Sequence, residues 1–396
     1  MKKLRYIVGI IGALVLMASV GCVEKFEADI SDLVAEGLVV EGNIISDSTV
    51  IFHLSKTMPL NYSEGNKDAF ENYQHVNAEL TVKGSDGSSF PGHWWGNGQY
   101  RVEVGTLRPE VEYHLEIIYN GDTYQSEPQK PLACRGIKEL TFRQPDLSGP
   151  VSVHLTSQPS DSGDSEYYLW YFEEDWEVRA HFQTTYLYDA ELNGLIEYPY
   201  PPVAQGWCYN GTDQILLGST ESVTGNQIVG RTIQSIKPTD HRLSVLYSIR
   251  VQQRNLSRME YEYYQVRAKL NNEMGGLFTP QPSELPTNIT CSNPTRKVIG
   301  YVGCNMGVAH AQLYIPEEEV VYIDSYSCDI GKDPAGSYLD KYAAGFQVSD
   351  KTEQSVEWAK IGCVDVRSWQ ANPTGRPSWW PNPYLYYKEE PEYDGF

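Results

Sequence analysis

The chain is short of positive charge. It has 31 lysines and arginines against 52 aspartates and glutamates, a net charge of −21 over 396 residues. A protein this acidic would approach a polyanion against its own field, which excludes nucleic acid as a partner. Reactive signatures are missing too: no HExxH, no GxSxG elbow and no P-loop occurs, so the chemistries those motifs support have no foothold here. The glycines of "GNGQYRVEVG" sit between strand-like segments and precede no helix, so they mark a turn. Eight histidines, His53, His75, His93, His114, His154, His181, His241 and His310, are scattered with no ligand-spaced pair. No two cysteines have the close CxxC spacing of a zinc site. No metal, no cofactor and no catalytic residue are therefore expected. Long helical periodicity is scarce, and leucine and alanine are modest.

Aromatic side chains, by contrast, are plentiful, with 29 tyrosines and 9 tryptophans, a composition that suits an exported β protein. The export signal is visible at the start. Lys2, Lys3 and Arg5 precede the apolar run Tyr6 to Val20, in the positive-then-apolar order of a secretory signal. The run is shorter than the ~20 apolar residues needed to span a bilayer. Ser19 and Gly21 flank Val20 just before Cys22, and this resembles a bacterial lipobox in which Cys22 is lipidated and becomes the mature N-terminus. Acyl chains on Cys22 would anchor the chain at a membrane, each buried methylene contributing ~0.8 kcal/mol. Residues 1–21 are read as the signal peptide and 22–35 as an acidic tether carrying Glu24, Glu27, Asp29 and Asp32. Loss of three positive charges with the signal takes the net charge from −21 to −24.

From 36 to 130 short alternating segments follow one another between turn signals. "VNAELTVKGSDG" alternates Val76, Ala78, Leu80 and Val82 before an Asp86-Gly87 turn. "EYHLEIIYNGDTYQS" reads as a hairpin across Asn120-Gly121, the strongest short hairpin signal. This pattern predicts an N-terminal immunoglobulin- or fibronectin-like β-sandwich. Pro128 and Pro131 mark a stiff boundary near Cys134. A larger antiparallel β domain is expected over 134–370, the fold class being mainly β. In "RLSVLYSIRVQQ", Leu243, Val245, Tyr247, Ile249 and Val251 share one face, while the other is polar apart from Leu246. One helix is predicted near 257–274: Ser257 and Glu260 form a capping box, Met259, Tyr263, Val266, Leu270 and Met274 recur at helical spacing, and Gly275-Gly276 stops it. "VIGYVG" and "AQLYIP" then read as two more strands. Residues 371–396 form an aromatic, proline-rich tail.

Six cysteines follow Cys22, an even number that favours disulfides in an oxidising compartment, with 15 possible connectivities. The preferred pairs are Cys291–Cys304, which closes a short loop, and Cys328–Cys363, leaving Cys134 with Cys208. Binding candidates are aromatic. Trp94 and Trp95 stand at a hairpin end, and Trp379, Trp380 and Tyr384 belong to the tail cluster; such rings supply stiff contact area and stack on flat ligands. Both groups have a structural alternative, sealing the sandwich or pinning the tail. Asp161, Asp164 and Glu166 share a polar loop that lacks EF-hand spacing, and Glu317 to Glu319 read as a charged turn.

The blocks "LVVEGNIISD", "WCYNGTDQILLGST", "LYSIRVQQRNLSRMEYEYYQVRAKLNNEMGGLFTPQPSELPTNI", "VIGYVG" and "CVDVRSWQANPTGRPSWW" resemble, in order and wording, the DUF4249 family of Bacteroidetes lipoproteins. The resemblance covers nearly the whole mature chain. It implies a companion of a TonB-dependent outer-membrane receptor, with no established activity to carry over. The expected function is therefore a non-enzymatic, outer-membrane-anchored lipoprotein, at the cell surface rather than the periplasmic face, serving such a receptor in nutrient capture or uptake. The alternatives are a free-standing structural or adhesive surface protein, or a hydrolase without a recognisable motif.

Overall fold

A computed structural model describes residues 37–57, 76–161, 165–182, 184, 186–197, 204–212, 214–223, 225–273, 285–328 and 334–381. Cys22, the apolar run, the acidic tether, Asp164, Met274 and Tyr384 lie outside the described residues.

The mainly β expectation holds. Eight strands open the chain: β1 Leu38–Glu41, β2 Asn43–Ile45, β3 Ser48–Lys56, β4 Glu79–Gly84, β5 Ser89–Gly96, β6 Gln99–Val104, β7 Tyr113–Tyr119 and β8 Asp122–Ser126. Their period-2 patterning is what folds them. In β3, Val50, Phe52 and Leu54 are buried while Ile51 is exposed, and β6 buries Tyr100, Val102 and Val104 in register with it. Each such side chain contributes roughly 1.5–3 kcal/mol on burial. Asn120 and Gly121 both take positive φ, 52° and 82°, making the tight turn between β7 and β8 that their sequence demands.

A second set of strands begins with β9 Ile137–Arg143, β10 Val151–Ser157, β11 Tyr167–Arg179, β12 Tyr186–Asp189 and β13 Gly194–Glu197. It continues with β14 Gln205–Gly211, β15 Leu216–Ser219, β16 Arg231–Ile236 and β17 Leu246–Leu256. Helix α1, Arg258–Glu273, follows, then β18 Ile289–Cys291, β19 Val298–Gly300, β20 Gly303–Asn305 and β21 Ala309–Pro316. A short helix α2, Tyr338–Ala343, and the hairpin β22 Phe346–Lys351 and β23 Val356–Lys360 come last.

The segment after α1 departs from expectation. β18 pairs with β8 and β19 pairs in parallel with β1, so residues 289–300 supply both ends of one nine-stranded sheet in the order β18-β8-β7-β4-β5-β6-β3-β1-β19. The two end strands lie against each other, leaving a nearly closed, barrel-like sheet around one apolar core. β20 adds a parallel pair with β2. "VIGYVG" thus completes the first module, whereas β21, from "AQLYIP", joins the second.

In the second module a five-stranded sheet, β14-β11-β17-β21 with β15 also on β11, faces a three-stranded sheet, β16-β10-β9. Between them pack Val151, Val153 and Leu155 of β10, Tyr168, Trp170 and Val178 of β11, and Tyr247, Ile249 and Val251 of β17. Glu174 is fully buried on this inner face. It accepts hydrogen bonds from Arg242 (2.8 Å), the Tyr247 hydroxyl (2.6 Å), Gln234 (2.9 Å) and Asn210 (3.0 Å), which is how a buried carboxylate is tolerated. Leu246, the apolar exception on the polar face of β17, packs with Val245 against Trp380.

Helix α1 and β17 join the modules. Ser257 Oγ accepts from the Glu260 N–H (3.1 Å) as a cap. The Glu260 side chain does not complete the box but pairs with buried Arg254 (2.6 Å), which also donates to Asn305 of β20 (3.1 Å). The carboxylate is turned toward the joint, its second oxygen buried without a hydrogen-bond partner among the described residues. A Cβ on Gly303 would come within 2.5 Å of the Glu260 carboxylate, so only glycine lets β20 approach the pair. Arg267 of α1 reaches Glu41 of β1 at 2.7 Å. The buried helix face is Glu260, Tyr263 and Tyr264, with Met259 exposed, one position off the predicted stripe.

Cys328 and Cys363 form a disulfide, while Cys134, Cys208, Cys291 and Cys304 are free. The expected pairs Cys291–Cys304 and Cys134–Cys208 do not form, because strand placement overrides loop length. Cys291 ends β18 beside β8 and Cys304 lies in β20 beside β2. Cys134 donates to the Gln253 carbonyl near the joint, and Cys208 is buried in the second core.

Candidate functional site

A cleft of about 630 Å³ opens beyond the end of β11 in the second module. Its lining draws on four parts of the chain. Arg179 and His181 come from the end of β11, and Thr239, His241, Ser244 and Val245 from the turn before β17. Glu317, Tyr322, Asp324, Ser325 and Tyr326 come from the segment after β21, and Trp369 from a late 3-10 turn.

The segment after β21 has no regular structure over 321–328, and it is held by specific bonds instead. Val321 N–H donates to the Gln144 side chain (2.7 Å), Gln144 donates back to the Val321 carbonyl (3.1 Å), and Ile323 N–H donates to the Pro238 carbonyl (2.8 Å). Cys328–Cys363 then ties this wall to the segment carrying Trp369. At Gly362 an added Cβ would meet Trp369 Nε1 and the Tyr326 hydroxyl, each at 2.8 Å. The missing side chain seats both rings.

The charges in and behind the cleft are mostly held in pairs. Arg179 donates through Nε (2.9 Å) and Nη2 (2.8 Å) to Glu177, which also accepts from Gln205 (2.7 Å) and from the Trp380 indole (3.3 Å). His181 Nε2 lies 3.2 Å from Asp324, whose other oxygen accepts the Tyr326 N–H at 2.8 Å. The His241 ring lies 6.1 Å from Trp176 and 6.0 Å from Trp369. Desolvation in the cleft lowers its pKa, outweighing the opposing pull of Asp240 and assisted by Arg242. Desolvation also raises Glu317, with Glu318 adding to it against Arg179. Fixed charges with aromatic walls can hold a polar ligand with little reorganisation.

The predicted aromatic candidates lie elsewhere. Trp94 (47% exposed) and Trp95 (62%) stand on β5 of the first module, with the Arg101 guanidinium 5.4 Å from the Trp95 ring. Trp380 is buried beside Leu246, and Trp379 lies under Arg250 at 4.3 Å, so the structure places these two rings in packing against β17. Asp161 pairs with Arg135. Among the described residues no group of three or more His, Cys, Asp or Glu is placed to hold a metal.

Sequence reasoning missed the cleft. His181 and His241 stand 60 positions apart in the chain yet line one hollow. Glu317 to Glu319, expected as a charged turn, form a single 3-10 turn, and Glu317 reaches the cleft wall. The available signal was the paired "PEEEV" and "RSWQ" stretches, which carry no spacing rule linking them.

A family model described as "Domain of unknown function (DUF4249)" matches residues 23–306. The match takes in Arg179, His181 and the 239–245 part of the cleft, and stops before Glu317, Asp324 and Trp369. No curated protein matches the chain.

Proposed function

The chain belongs to the DUF4249 family, and from that premise we propose that it is a lipoprotein of a Bacteroidetes outer membrane, anchored through Cys22 and facing the cell surface. It captures a small nutrient for a TonB-dependent receptor and performs no chemistry on it. The observation that carries this reading is the cleft: a preformed hollow whose two walls are tied by Cys328–Cys363 and whose charges are largely paired before any ligand arrives. Pre-organisation of that kind favours binding, since little ordering cost remains. The exposed Trp94 and Trp95 face belongs to the other module, which leaves the cleft accessible while the tryptophans meet a partner. The same face supports the second reading, a free-standing adhesive protein.

The test is a mild-detergent pull-down of the tagged protein from its native outer membrane, with Cys22→Ala as control. Recovery of a TonB-dependent receptor with the lipidated form alone supports the accessory role. Recovery of the protein without any barrel partner overturns it and favours the adhesive one.

A further inference from the structure

The cleft carries a charge imbalance. Glu317 and Asp324 line it, Asp324 with His181 Nε2 at 3.2 Å, while Arg179, the one guanidinium among the described lining residues, already donates twice to Glu177. Arg242, behind His241, is held by Asp240 (2.8 Å) and Glu174 (2.8 Å). Among the described residues no hydrogen-bond donor or cation within ion-pair distance meets the Glu317 carboxylate, and Glu318 is its neighbour in sequence. The field registers on Tyr322, whose phenol is pushed up to about 12, by burial first and then by Asp324, Glu317 and Asp240. Against these carboxylates stand the rings of Tyr322, Tyr326 and Trp369. Their affinity for cations is already in use at the edge, where Lys360 Nζ lies 5.8 Å from the Tyr326 centroid.

Carboxylates beside aromatic faces attract a cation that carries apolar surface, because the charge meets both the anions and the ring quadrupoles while the stem packs on the rings. We propose that the cleft binds an organic cation, an alkylammonium or guanidinium group on an apolar stem, between the Glu317 and Asp324 carboxylates and the Tyr322, Tyr326 and Trp369 rings. The inference rests on the capture role above and adds its ligand class. An anionic ligand would face two carboxylates with no uncommitted lining guanidinium to meet it. The chain's net charge of −21 further concentrates cations at its surface. Both carboxylates lie beyond residue 306, so the segment outside the family match sets this preference.

The test is calorimetry on the full folded chain with four probes: N-acetyl-arginine amide, its uncharged citrulline analogue, a tri-arginine peptide and methyl glucoside. Arginine amide should bind at least tenfold more tightly than the citrulline analogue, with affinity falling as salt is raised. Glu317→Gln and Asp324→Asn should each weaken it about tenfold at unchanged melting temperature. Trp369→Phe, which keeps a ring in place, should weaken it less. Tighter binding of the peptide than of the amide supports the cation and assigns a peptide carrier; equal binding supports it and assigns a single small cationic group. Equal affinity for arginine and citrulline, preference for the glucoside, or no binding by any probe overturns the proposal. Receptor recovery by the Glu317→Gln/Asp324→Asn variant separates the two readings. In the unaltered chain, a recovered receptor with no cation binding overturns this inference alone, and cation binding with no receptor overturns the accessory role alone; the double variant should lose the cation and keep the receptor.

Discussion

Among the described residues the first module buries no charged side chain: Phe52, Leu54, Val82, Val102, Leu115 and Ile117 fill its curled sheet, with Ser46, Ser126, Asn288 and Asn305 the polar groups inside. In the second module and the joint that it shares with the first, Glu174, Asp175, Glu177, Arg254, Glu260 and Asp365 are buried as well. A nearly closed sheet needs only to exclude water, and its distinctive groups, Trp94 and Trp95, lie outside on one strand. The second module carries a cleft beyond the end of β11, lined by the turn before β17 and the segment after β21, with charges behind it. Where charges are buried, each needs a partner, and those partners fix the walls of a site. Buried charge and the cleft of about 630 Å³ therefore occur together in the second module.

The sharpest way to break this comparison is to unpair a buried charge. Arg254→Met leaves Glu260 buried without its guanidinium and should cost about 3–5 kcal/mol, read by urea unfolding. The double replacement Arg254→Met with Glu260→Leu should recover much of that loss. In the apolar module, Leu54→Ala should cost about 2–5 kcal/mol through its cavity, with no second substitution that recovers it. A double variant no better than Arg254→Met would erase the distinction.

Next in size is the disulfide. Opening a bond across 35 residues should cost about 3–4 kcal/mol by loop entropy. Cys328→Ser with Cys363→Ser should lower the second module's hydrogen-exchange protection around the cleft and leave β3 and β6 unchanged.

A smaller effect is tied to pH. His114, on β7, and His241, at the cleft, both have pKa values lowered chiefly by desolvation. The unfolded chain then binds more protons than the folded one between each lowered value and the ordinary 6.5. Stability contributed by keeping these rings neutral is present above 6.5 and is lost as pH falls from there through each lowered value. His114→Gln and His241→Gln should each flatten the melting-temperature decline between about pH 7.5 and pH 5.5. A profile unchanged in both would show that neither ring is shut off from water.

The smallest effect is expected on the outer face. Trp95→Ala should shift stability by no more than about 0.5 kcal/mol, since the ring is exposed, and should leave cleft binding untouched. Loss of receptor recovery in that variant alone would assign the two modules separate tasks.

Local rules were readable in advance. Asn120-Gly121 announced its hairpin, Tyr247, Ile249 and Val251 announced the buried face of β17, and Ser257 announced the start of α1. Leu246 broke that pattern for a reason no local rule contains: Trp380, far along the chain, covers it. Likewise Glu260 looked like half of a capping box and became the partner of Arg254. Of the expected thiol pairs Cys328–Cys363 forms, whereas Cys291 and Cys304, close in sequence, sit on strands with different neighbours.

The sequence alone determined the mainly β class, the acidic surface and the strand and helix starts, because periods of 2 and 3.6 and turn chemistry act over a few residues. Only the tertiary structure decided that residues 289–305 return to the first module, that Cys291 and Cys304 stay apart, and that His181, His241, Glu317 and Trp369 share one hollow. Those contacts join residues tens to hundreds of positions apart, and their energies depend on which sheets pack together rather than on any pattern along the chain.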